Sequence, residues 1–294
     1  MLQLLQKALI KSKGPISSSL IKKVDSVGGV CVHKTWRLQL EDGSKLFAKT
    51  TTIDDFPKLE FEANGLKSLK RFAPQAILEI PQPLVLEKVN SNSVLILPWI
   101  DIANGEQSLL GRGLALIHQS SSSQNPGKFG WEELGYIGSA KQIKGWERCW
   151  GKCFINLRLI PQMKLGKEWG LNHLDWEKPL ASLSIFLDKH KPIPSLVHGD
   201  LWSGNAAIQK HGHAAIFDPA IWWADREVDI AMTKLFGGFS KEFYEGYESV
   251  WPLPHSAQSR VLIYNLYHLL NHANLFGGTY TSQCMSILES IKDL

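Results

Sequence analysis

The feature that most constrains this chain is a polar segment that follows one short apolar stretch and precedes another. The segment runs from His198 to Asn205 with the sequence His-Gly-Asp-Leu-Trp-Ser-Gly-Asn, and a further carboxylate, Asp218, follows thirteen residues after Asn205. Leu196 and Val197 precede the segment, and Ala214 to Phe217 precede Asp218. Short apolar runs of this kind predict buried strands, each of which delivers a polar loop.

The oxygen-bearing side chains of this segment suit one chemistry. Transfer of a phosphoryl group from ATP to a hydroxyl needs a carboxylate that meets the attacking O–H, together with hard oxygen ligands that hold Mg²⁺. The spacing predicts Asp200 as that catalytic carboxylate, and Asn205 and Asp218 as the metal ligands. The alternative is two polar turns, in which Asp and Asn are common. Three such residues at the required spacings favour the chemical interpretation.

The residues within and after this segment resemble the fructosamine kinases (ketosamine kinases). The segment resembles that family more closely than it resembles protein kinases or aminoglycoside phosphotransferases. The aminoglycoside phosphotransferases usually carry His-Pro where this chain has Trp202-Ser203. Asp218-Pro219-Ala220, Asp225-Arg226-Glu227 and Leu235 to Phe239 are also similar to the family. The resemblance covers nearly the whole chain, from about Gly28 to about Phe276. It departs from the family pattern at Gly135, usually Asn, and at Ala140-Lys141, usually Thr-Pro.

The resemblance implies an α+β, bilobal, protein-kinase-like fold. A small N-terminal lobe dominated by antiparallel strands would comprise residues 1–98 and bind the nucleotide, and a mostly helical lobe, residues 99–294, would carry the catalytic loop and the acceptor site. The implied cofactors are ATP and Mg²⁺. The implied acceptor is a ketosamine, either a small molecule or a glycated protein lysine, and phosphorylation of its 3-hydroxyl would lead to deglycation.

In the first lobe, Lys49 is the candidate phosphate ligand. If Asp42-Gly43 forms a two-residue hairpin loop, Trp36 faces Lys49, and the lysine shares the apolar strand face that includes Leu38. A lysine on such a face requires an anion, because burial of an unpaired charge is costly. Gly28 and Gly29 would offer backbone N–H groups to phosphates, although a plain turn explains the two glycines equally well.

A predicted helix over residues 58–72 carries the candidate partner of Lys49. Glu62 lies on its apolar stripe, one turn from Leu59 and Leu66, whereas Glu60 lies off it. A Lys–Glu pair of this kind holds the phosphate-binding lysine of kinases. The alternative is a glutamate at the edge of the stripe that reaches water.

The connection between the two predicted lobes follows a predicted strand that ends at Leu97. In a kinase-like fold, the backbone groups of this connection would meet the adenine edge. Pro98 has no N–H, so that a donor must come from a neighbour such as Trp99. We therefore expect Leu97 and Trp99 beside the nucleotide.

Several aromatic residues are candidates for the acceptor site. Trp146, Trp150, Phe154 and Arg158 recur at helical spacing and would present rings to the acceptor, or would pack in the core of a chain with eleven tryptophans. Trp202 would cover the flat side of a sugar, or pack beneath its loop. The resemblance also implies structural roles for His118 in a helix and for Asp229, which would bind the backbone of the catalytic loop.

Cys31 is a candidate redox switch. Family members often carry a cysteine at the corresponding place, and His33 and Lys34 follow it closely, which favours a lowered thiol pKa. A disulfide between two copies would give an inactive covalent dimer, so that we expect a monomer or a redox-dependent homodimer. The alternative is a small buried hydrophobic side chain.

Composition excludes several other classes. The chain has 32 basic and 28 acidic residues, a balance that argues against nucleic acid as a partner. No apolar run approaches the length of a membrane span, and four cysteines in 294 residues make no disulfide framework, so we expect a cytoplasmic protein. Cys149 and Cys153, like His268 and His272, lie one helical turn apart without further ligands, which favours packing over zinc.

Two other functions compete with a ketosamine kinase. A phosphotransferase for aminoglycosides or choline-like alcohols would need an acidic pocket or an aromatic cage, and no dense acidic cluster occurs in the sequence of the predicted larger lobe, residues 99–294. A nucleotide-binding pseudokinase scaffold would be expected to lack one of Lys49, Asp200 and Asp218. All three residues are present.

Overall fold

The computed structural model describes residues 1–28 and 33–292, apart from the side chains of residues 173 and 174. Gly29 and Cys31, two of the candidate site residues, lie outside the described residues. The fold is α+β, with an antiparallel sheet in the first third of the chain and mostly helices in the rest. No helix among the described residues combines the length and the apolar character needed to cross a membrane.

The first third of the chain forms a five-stranded antiparallel sheet in the order β1-β2-β3-β6-β5. Its strands are β1 (Ile21–Ser26), β2 (Lys34–Leu40), β3 (Lys45–Thr52), β5 (Val85–Val89) and β6 (Asn92–Pro98). The helix α1 (Leu2–Ser12) packs Leu5 and Leu9 against one face of this sheet. The helix α2 (Phe56–Lys70) packs Leu59 and Leu66 against the other face, beside Leu95.

The register of the β2–β3 hairpin differs from the expectation by one residue. Trp36 pairs with Ala48, and Lys49 pairs with Thr35. The cause is a three-residue loop, because Leu40 pairs with Ser44 and Gly43 adopts the left-handed conformation, with φ 86°. Since a shift of one residue reverses every side chain of a strand, Lys49 lies on the α2 face, opposite the face of Leu38.

The rest of the chain is mainly helical. Its helices are α3 (Ser108–Ser122), α4 (Trp150–Phe154), α5 (Ile160–Leu165), α6 (Glu177–Lys189), α7 (Glu227–Leu235), α8 (Lys241–Glu248), α9 (Val261–Phe276) and α10 (Thr279–Ser290). A π-helical turn, Ile155–Leu159, joins α4 to α5. The apolar faces of α4, α6 and α9 meet in one core, because each helix buries an apolar stripe.

Short strands form three small sheets around these helices. Two of the sheets have the orders β4-β14-β13-β7 and β11-β8-β15-β12, and the third pairs β9 with β10. Their strands are β4 (Leu78–Glu79), β7 (Ile102–Ala103), β8 (Phe129–Trp131), β9 (Gly135–Ile137), β10 (Ala140–Gln142), β11 (Gly145–Glu147), β12 (Ser195–Val197), β13 (Ala206–Gln209), β14 (Ala214–Ile216) and β15 (Trp222–Ala224). The polar segments predicted from sequence leave the ends of β12 and β14, as their apolar residues indicated.

The aromatic series predicted for the acceptor site lies mostly in the core. Trp150 and Phe154 are buried, and Trp150 stacks on Trp222 with ring centroids 5.6 Å apart. Arg158 is also buried, with its guanidinium carbon 3.9 Å from the centroid of Trp222. Trp146 belongs to β11 and not to the helix. The idea that these four side chains form one helical face at the acceptor site is therefore wrong, because their helical spacing begins only at Trp150.

Candidate active site

The catalytic loop is fixed in place by a buried carboxylate on α7. Asp229 accepts hydrogen bonds from the backbone N–H of His198 at 2.7 Å and from that of Gly199 at 2.8 Å. His118, on α3, donates through Nε2 to Asp229 at 3.0 Å. Although burial opposes ionisation, this contact with His118 lowers the pKa of Asp229. The structural roles predicted for Asp229 and His118 are confirmed.

His198 ties the two polar segments together. Its Nε2 donates to the carbonyl of Phe217 at 3.0 Å, and its own carbonyl accepts from the N–H of Ala220 at 2.8 Å. The close contact between the two segments requires a glycine at residue 199. Gly199 has φ 82°, and a Cβ at this position would lie 2.0 Å from the carbonyl oxygen of Ala220. Sequence analysis assigned no role to His198, although its place in the motif was a signal.

Asp200, Asn205 and Asp218 converge at the ends of these segments. The amide nitrogen of Asn205 lies 2.9 Å from the carbonyl oxygen of Asp200, 3.3 Å from its carboxylate and 3.5 Å from the carbonyl oxygen of Asp218. Burial, with further contributions from the carboxylates of Asp218 and Asp229, raises the pKa of Asp200 to about 7. The three residues selected from spacing alone thus occupy one site.

Lys49, Glu62 and Asp218 form a charge triad, in which one ammonium serves two carboxylates. Nζ of Lys49 lies 2.9 Å from Glu62 and 2.7 Å from Asp218. Burial favours the neutral amine of Lys49, but the charges of Asp218 and Glu62 outweigh this effect and raise the pKa of Lys49. Burial favours the neutral carboxyl group of Asp218, but the charge of Lys49 outweighs this effect and lowers the pKa of Asp218. The predicted contact between Lys49 and Glu62 therefore exists, but on the face of the sheet opposite to the one expected.

Glu62 is the less well satisfied carboxylate of the triad. It is 5% exposed, and its Oε1 is buried without a hydrogen-bond partner. Burial raises the pKa of Glu62, because Lys49 offsets the loss of hydration only in part. Asp218, in contrast, has 41% of its side chain exposed. Within the triad, Glu62 is therefore shielded from solvent, whereas the carboxylate of Asp218 is accessible to solvent.

The helix that carries Glu62 rests directly on the segment that carries Asp218. A Cβ at Gly65 would lie 3.0 Å from Pro219 and 3.5 Å from Ile221. This close approach lets α2 touch the residue that follows Asp218. The positions of the two carboxylates that share Lys49 are therefore linked by packing as well as by charge.

Asn205 and Asp218 fit the role of magnesium ligands. Hard oxygen atoms are the ligands that Mg²⁺ prefers, and both side chains supply them. The hydrogen bonds of Asn205 described above all use its amide nitrogen, an assignment that the hydrogen-bond network supports, and they leave its side-chain oxygen available. The second oxygen of Asp218 is similarly available, since Lys49 contacts Oδ1.

The remaining predicted residues lie in several environments. Gly28 is exposed just after β1, Leu97 is buried in β6, and Trp99 donates through its indole N–H to Asp101 at 2.9 Å. The ring of Trp202 lies over Gly204, where a Cβ would approach it to 2.2 Å. Trp146 lies on β11, at the edge of its sheet opposite to the catalytic strand β12, and the ammonium of Lys128 lies 4.3 Å from its ring centroid.

A second buried ion cluster lies at the start of α7 and was not predicted. Arg260 donates to both oxygens of Glu227 at 2.8 Å, while His190 lies 3.1 Å from Asp225 and 3.2 Å from Glu227. Tyr264 donates to Asp225 at 2.6 Å. We call these five residues the helix-anchoring network. Burial favours the neutral imidazole of His190, but hydrogen bonds to Asp225 and Glu227 outweigh this effect and raise the pKa of His190 to about 9.

Comparison with known proteins gives a consistent result. The sequence model of the family described as Fructosamine kinase matches residues 1–293. A probable ketoamine kinase from Synechocystis sp. is 36% identical over 92% of this chain and 90% of its own length. The chloroplastic protein-ribulosamine 3-kinase of Arabidopsis thaliana is 34% identical over 92% of this chain and 82% of its own length.

Solved structures extend this comparison to the fold. A Haemophilus somnus protein described as a fructosamine-3-kinase superimposes with a TM-score of 0.86 at 25% identity, over 99% of this chain and 97% of the other. The choline kinase LicA of Streptococcus pneumoniae shares the fold, with a TM-score of 0.63 at 14% identity over 99% of each chain. From the match along almost its entire length, this chain belongs to the fructosamine kinase family.

Proposed function

We propose that this protein transfers the γ-phosphoryl group of ATP to a sugar hydroxyl of a ketosamine. The observation that carries the proposal is a continuous chain of contacts in a member of this family, in which Asn205 binds the carboxylate of Asp200 and the backbone carbonyl of Asp218, and Asp218 pairs with Lys49. Phosphoryl transfer requires positioning and electrostatic stabilisation more than covalent chemistry, and these four side chains supply both.

Asp200 orients the acceptor hydroxyl and accepts its proton. Its half-buried carboxylate is held by Asn205 at the end of a loop that Asp229 fixes through two backbone N–H groups. The rigidity of this support is important, because a positioned base contributes only when it lies within hydrogen-bond reach of the reacting proton.

Lys49 binds phosphate oxygens, and Glu62 holds the lysine in position. Asn205 and Asp218 would hold Mg²⁺, and the cation would supply positive charge that neutralises the phosphates. As phosphate oxygens approach, Lys49 exchanges its contact with the exposed carboxylate of Asp218 for a contact with the nucleotide. The buried contact with Glu62 keeps the ammonium aligned meanwhile.

The nucleotide lies between the part of the chain up to residue 98 and the part from residue 99 onward. Gly28 and Gly29 contribute backbone N–H groups to the phosphates, and Leu97 and Trp99 flank the adenine. A boundary near residue 98 is consistent with the end of β6, the last strand of the first sheet along the chain.

The acceptor is a ketosamine, free or formed on a protein lysine, and the 3-hydroxyl is its phosphorylated group. The names of the relatives support this choice, since they include ketoamine kinases and a protein-ribulosamine 3-kinase. Trp202 contributes to sugar binding at the catalytic loop, whereas a role for Trp146 has less support because of its place on β11.

The proposal also includes the location and the regulation of the protein. The protein acts in the cytoplasm. Oxidation of Cys31 to an intermolecular disulfide inactivates it.

The test is direct phosphate transfer. The purified protein is incubated with ATP, Mg²⁺ and fructosamine, ribulosamine or erythrulosamine derivatives of a blocked lysine, and ³¹P NMR identifies the phosphorylated carbon. We expect a sugar 3-phosphate with at least one acceptor. Transfer only to choline or an aminoglycoside would overturn the choice of acceptor, and nucleotide binding without transfer to any acceptor would indicate a pseudokinase.

The metal ligands have a separate test. Replacement of Asp218 by alanine is expected to raise the Mg²⁺ concentration needed for half-maximal activity, because the cation loses a charged ligand. An unchanged Mg²⁺ dependence in that variant would contradict the role of Asp218.

A further inference from the structure

Four ring-bearing side chains form a cluster at the C-terminal ends of α7 and α9. We call Phe236, His272, Phe276 and Tyr280 the aromatic rim. The ring centroid of His272 lies 5.0 Å from that of Phe236, 5.7 Å from that of Phe276 and 5.2 Å from that of Tyr280. His272 is therefore the centre of the cluster, with the other rings around it.

The aromatic rim adjoins the catalytic loop. Phe236 is two residues before Gly238, and a Cβ at Gly238 would lie 2.5 Å from the side chain of Ser203. The side-chain amide of Gln107 holds the segment after Phe236 in place, since its nitrogen donates to the carbonyl of Gly238 and its oxygen accepts from the N–H of Ser240. Ser203 belongs to the same loop as Asp200, so that the segment that follows Phe236 packs against the loop that carries the catalytic carboxylate.

Two rings of the rim are unusually exposed. Phe276 is 62% exposed and Phe236 is 39% exposed. Elsewhere, exposed or half-buried rings are often covered by cations of the chain, for example Trp251 by Arg226 and Tyr244 by Lys234. Within the described residues, no lysine or arginine lies over a ring of the aromatic rim. The aromatic rim therefore has accessible ring surface that no lysine or arginine of the described residues covers.

The central histidine is a neutral hydrogen-bond acceptor. Nδ1 of His272 lies 2.8 Å from the carbonyl oxygen of His268. A carbonyl oxygen can only accept, so that Nδ1 carries the proton and Nε2 of the neutral ring has a free lone pair. Burial lowers the pKa of His272, which is consistent with the neutral form. The rim therefore offers aromatic surface and one acceptor nitrogen, and both suit a cation that carries N–H groups.

We propose that the aromatic rim binds the protonated secondary amine of the ketosamine. This inference rests on the proposed function, and adds to it the group of the acceptor that determines specificity. A ketosamine carries its sugar hydroxyls and a secondary ammonium on one short chain. With a hydroxyl at Asp200, the ammonium contacts the rings by cation–π interaction and donates an N–H to Nε2 of His272. The site then selects amine-linked sugars over neutral ketoses without using a carboxylate.

The experiment compares two acceptors that differ only in this charge. One is a 1-alkylamino-1-deoxyfructose, and the other is the corresponding 1-O-alkyl ether, which has the same shape and no charge. We expect kcat/KM of the native protein to be about tenfold higher for the amine, the size that one or two cation–π contacts provide. The variants Phe236→Leu and Phe276→Leu keep apolar bulk, and should lower kcat/KM for the amine about threefold or more beyond any loss for the ether.

Two further variants complete the test. In His272→Phe the ring remains but the acceptor nitrogen is lost, so the preference should fall for the secondary amine and persist for its quaternary dimethyl analogue, which has no N–H. Phe186→Leu makes the same exchange as the rim variants on α6, and should leave both acceptors unaffected. Equal kcat/KM for amine and ether in the native protein, or equal losses for both in the leucine variants, would overturn the proposal.

Other outcomes separate this inference from the proposed function. If neither acceptor receives phosphate, the proposed function fails. Calorimetric binding of the amine, but not of the ether, in the presence of ADP would then still support the rim as an ammonium site. Dimers that dissociate in Phe276→Leu, together with an unchanged acceptor preference, would assign the rim to contact between two copies of the chain and would overturn its role in acceptor binding.

Discussion

The charge triad and the helix-anchoring network are both buried and both contain a salt bridge, yet they are constructed differently. In the network, both oxygens of Glu227 accept from Arg260, and Asp225 accepts from Tyr264. In the triad, one ammonium serves two carboxylates, one oxygen of Glu62 has no partner, and Asp218 is open to the solvent side. Fully satisfied polar networks make a structure rigid, whereas a cluster with spare bonding capacity can accept a ligand. We infer that the network stabilises the fold and the triad serves the chemistry.

The largest expected effect separates activity from stability at the catalytic carboxylate. Asp200→Asn should reduce kcat by about 10² to 10⁴, which is the usual contribution of a positioned acid–base group. The side chains have nearly the same shape, so the melting temperature should change little. Phosphate transfer at saturating substrate and a thermal melt are the measurements. If more than about half of the activity remained, Asp200 would not face the acceptor.

The network should show the opposite behaviour. In Glu227→Gln the guanidinium of Arg260 loses its charged partner inside the protein, and the free energy of unfolding should fall by about 3 to 5 kcal/mol. The value of kcat per folded molecule should stay within about twofold, since the network does not contact the reacting groups. Denaturant titration measures the first quantity, and transfer assays at low temperature measure the second. Large loss of kcat without loss of stability would contradict the assignment of the network to structure.

Within the triad, the contact between Lys49 and Glu62 can be tested by a double-mutant cycle. Lys49→Met should lower kcat/KM for ATP by about 10² to 10³, because a charged donor to phosphate is lost. Glu62→Gln should cause a smaller loss, since it frees the lysine without removing it. The double variant should be little worse than Lys49→Met alone. Additive losses would mean that Glu62 does not act through Lys49.

The smallest expected effect is a pH dependence of the network. The pKa of His190 is raised from 6.5 to about 9 by its contacts with Asp225 and Glu227, while Arg260 and Tyr264 pack against the same carboxylates. A raised pKa stabilises the folded state below the unfolded pKa, and this stabilisation is lost as the pH rises through about 9. His190→Gln should therefore cost about 1 to 2 kcal/mol near pH 6 and almost nothing near pH 10. A cost independent of pH would show that the charge of His190 is not involved.

Sequence patterns predicted the grouping of the candidate site residues better than they predicted the register of the sheet. The spacing of Asp200, Asn205 and Asp218 identified three side chains that meet in space, because short strands deliver both polar loops. The contact between Lys49 and Glu62 was also anticipated, but from a hairpin register that was wrong by one residue. Two errors compensated there, since the helix carrying Glu62 packs on the face to which the true register turns Lys49.

Other features had no readable signal in the sequence. The strand β1 (Ile21–Ser26) has mixed polarity because much of it is exposed, so no alternation predicted it. Trp150 and Phe154 showed a helical period, but periodicity gives the face of a helix and not its neighbour, and that neighbour proved to be the core. The helix-anchoring network joins α6, α7 and α9, and a contact of this kind between distant segments depends on how the helices pack together.

The backbone at Asp218 shows a local conformational cost at the solvent-accessible end of the charge triad. Asp218 has φ 60°, in the left-handed region that glycine occupies without cost and that other residues enter at a cost of about 1 kcal/mol. A glycine would relax this strain, but it would also remove one of the two carboxylates that raise the pKa of the buried Lys49. A carboxylate at residue 218 therefore has an electrostatic reason as well as the metal-binding role that we propose, and the strained backbone is the conformational cost of placing that charge beside Lys49.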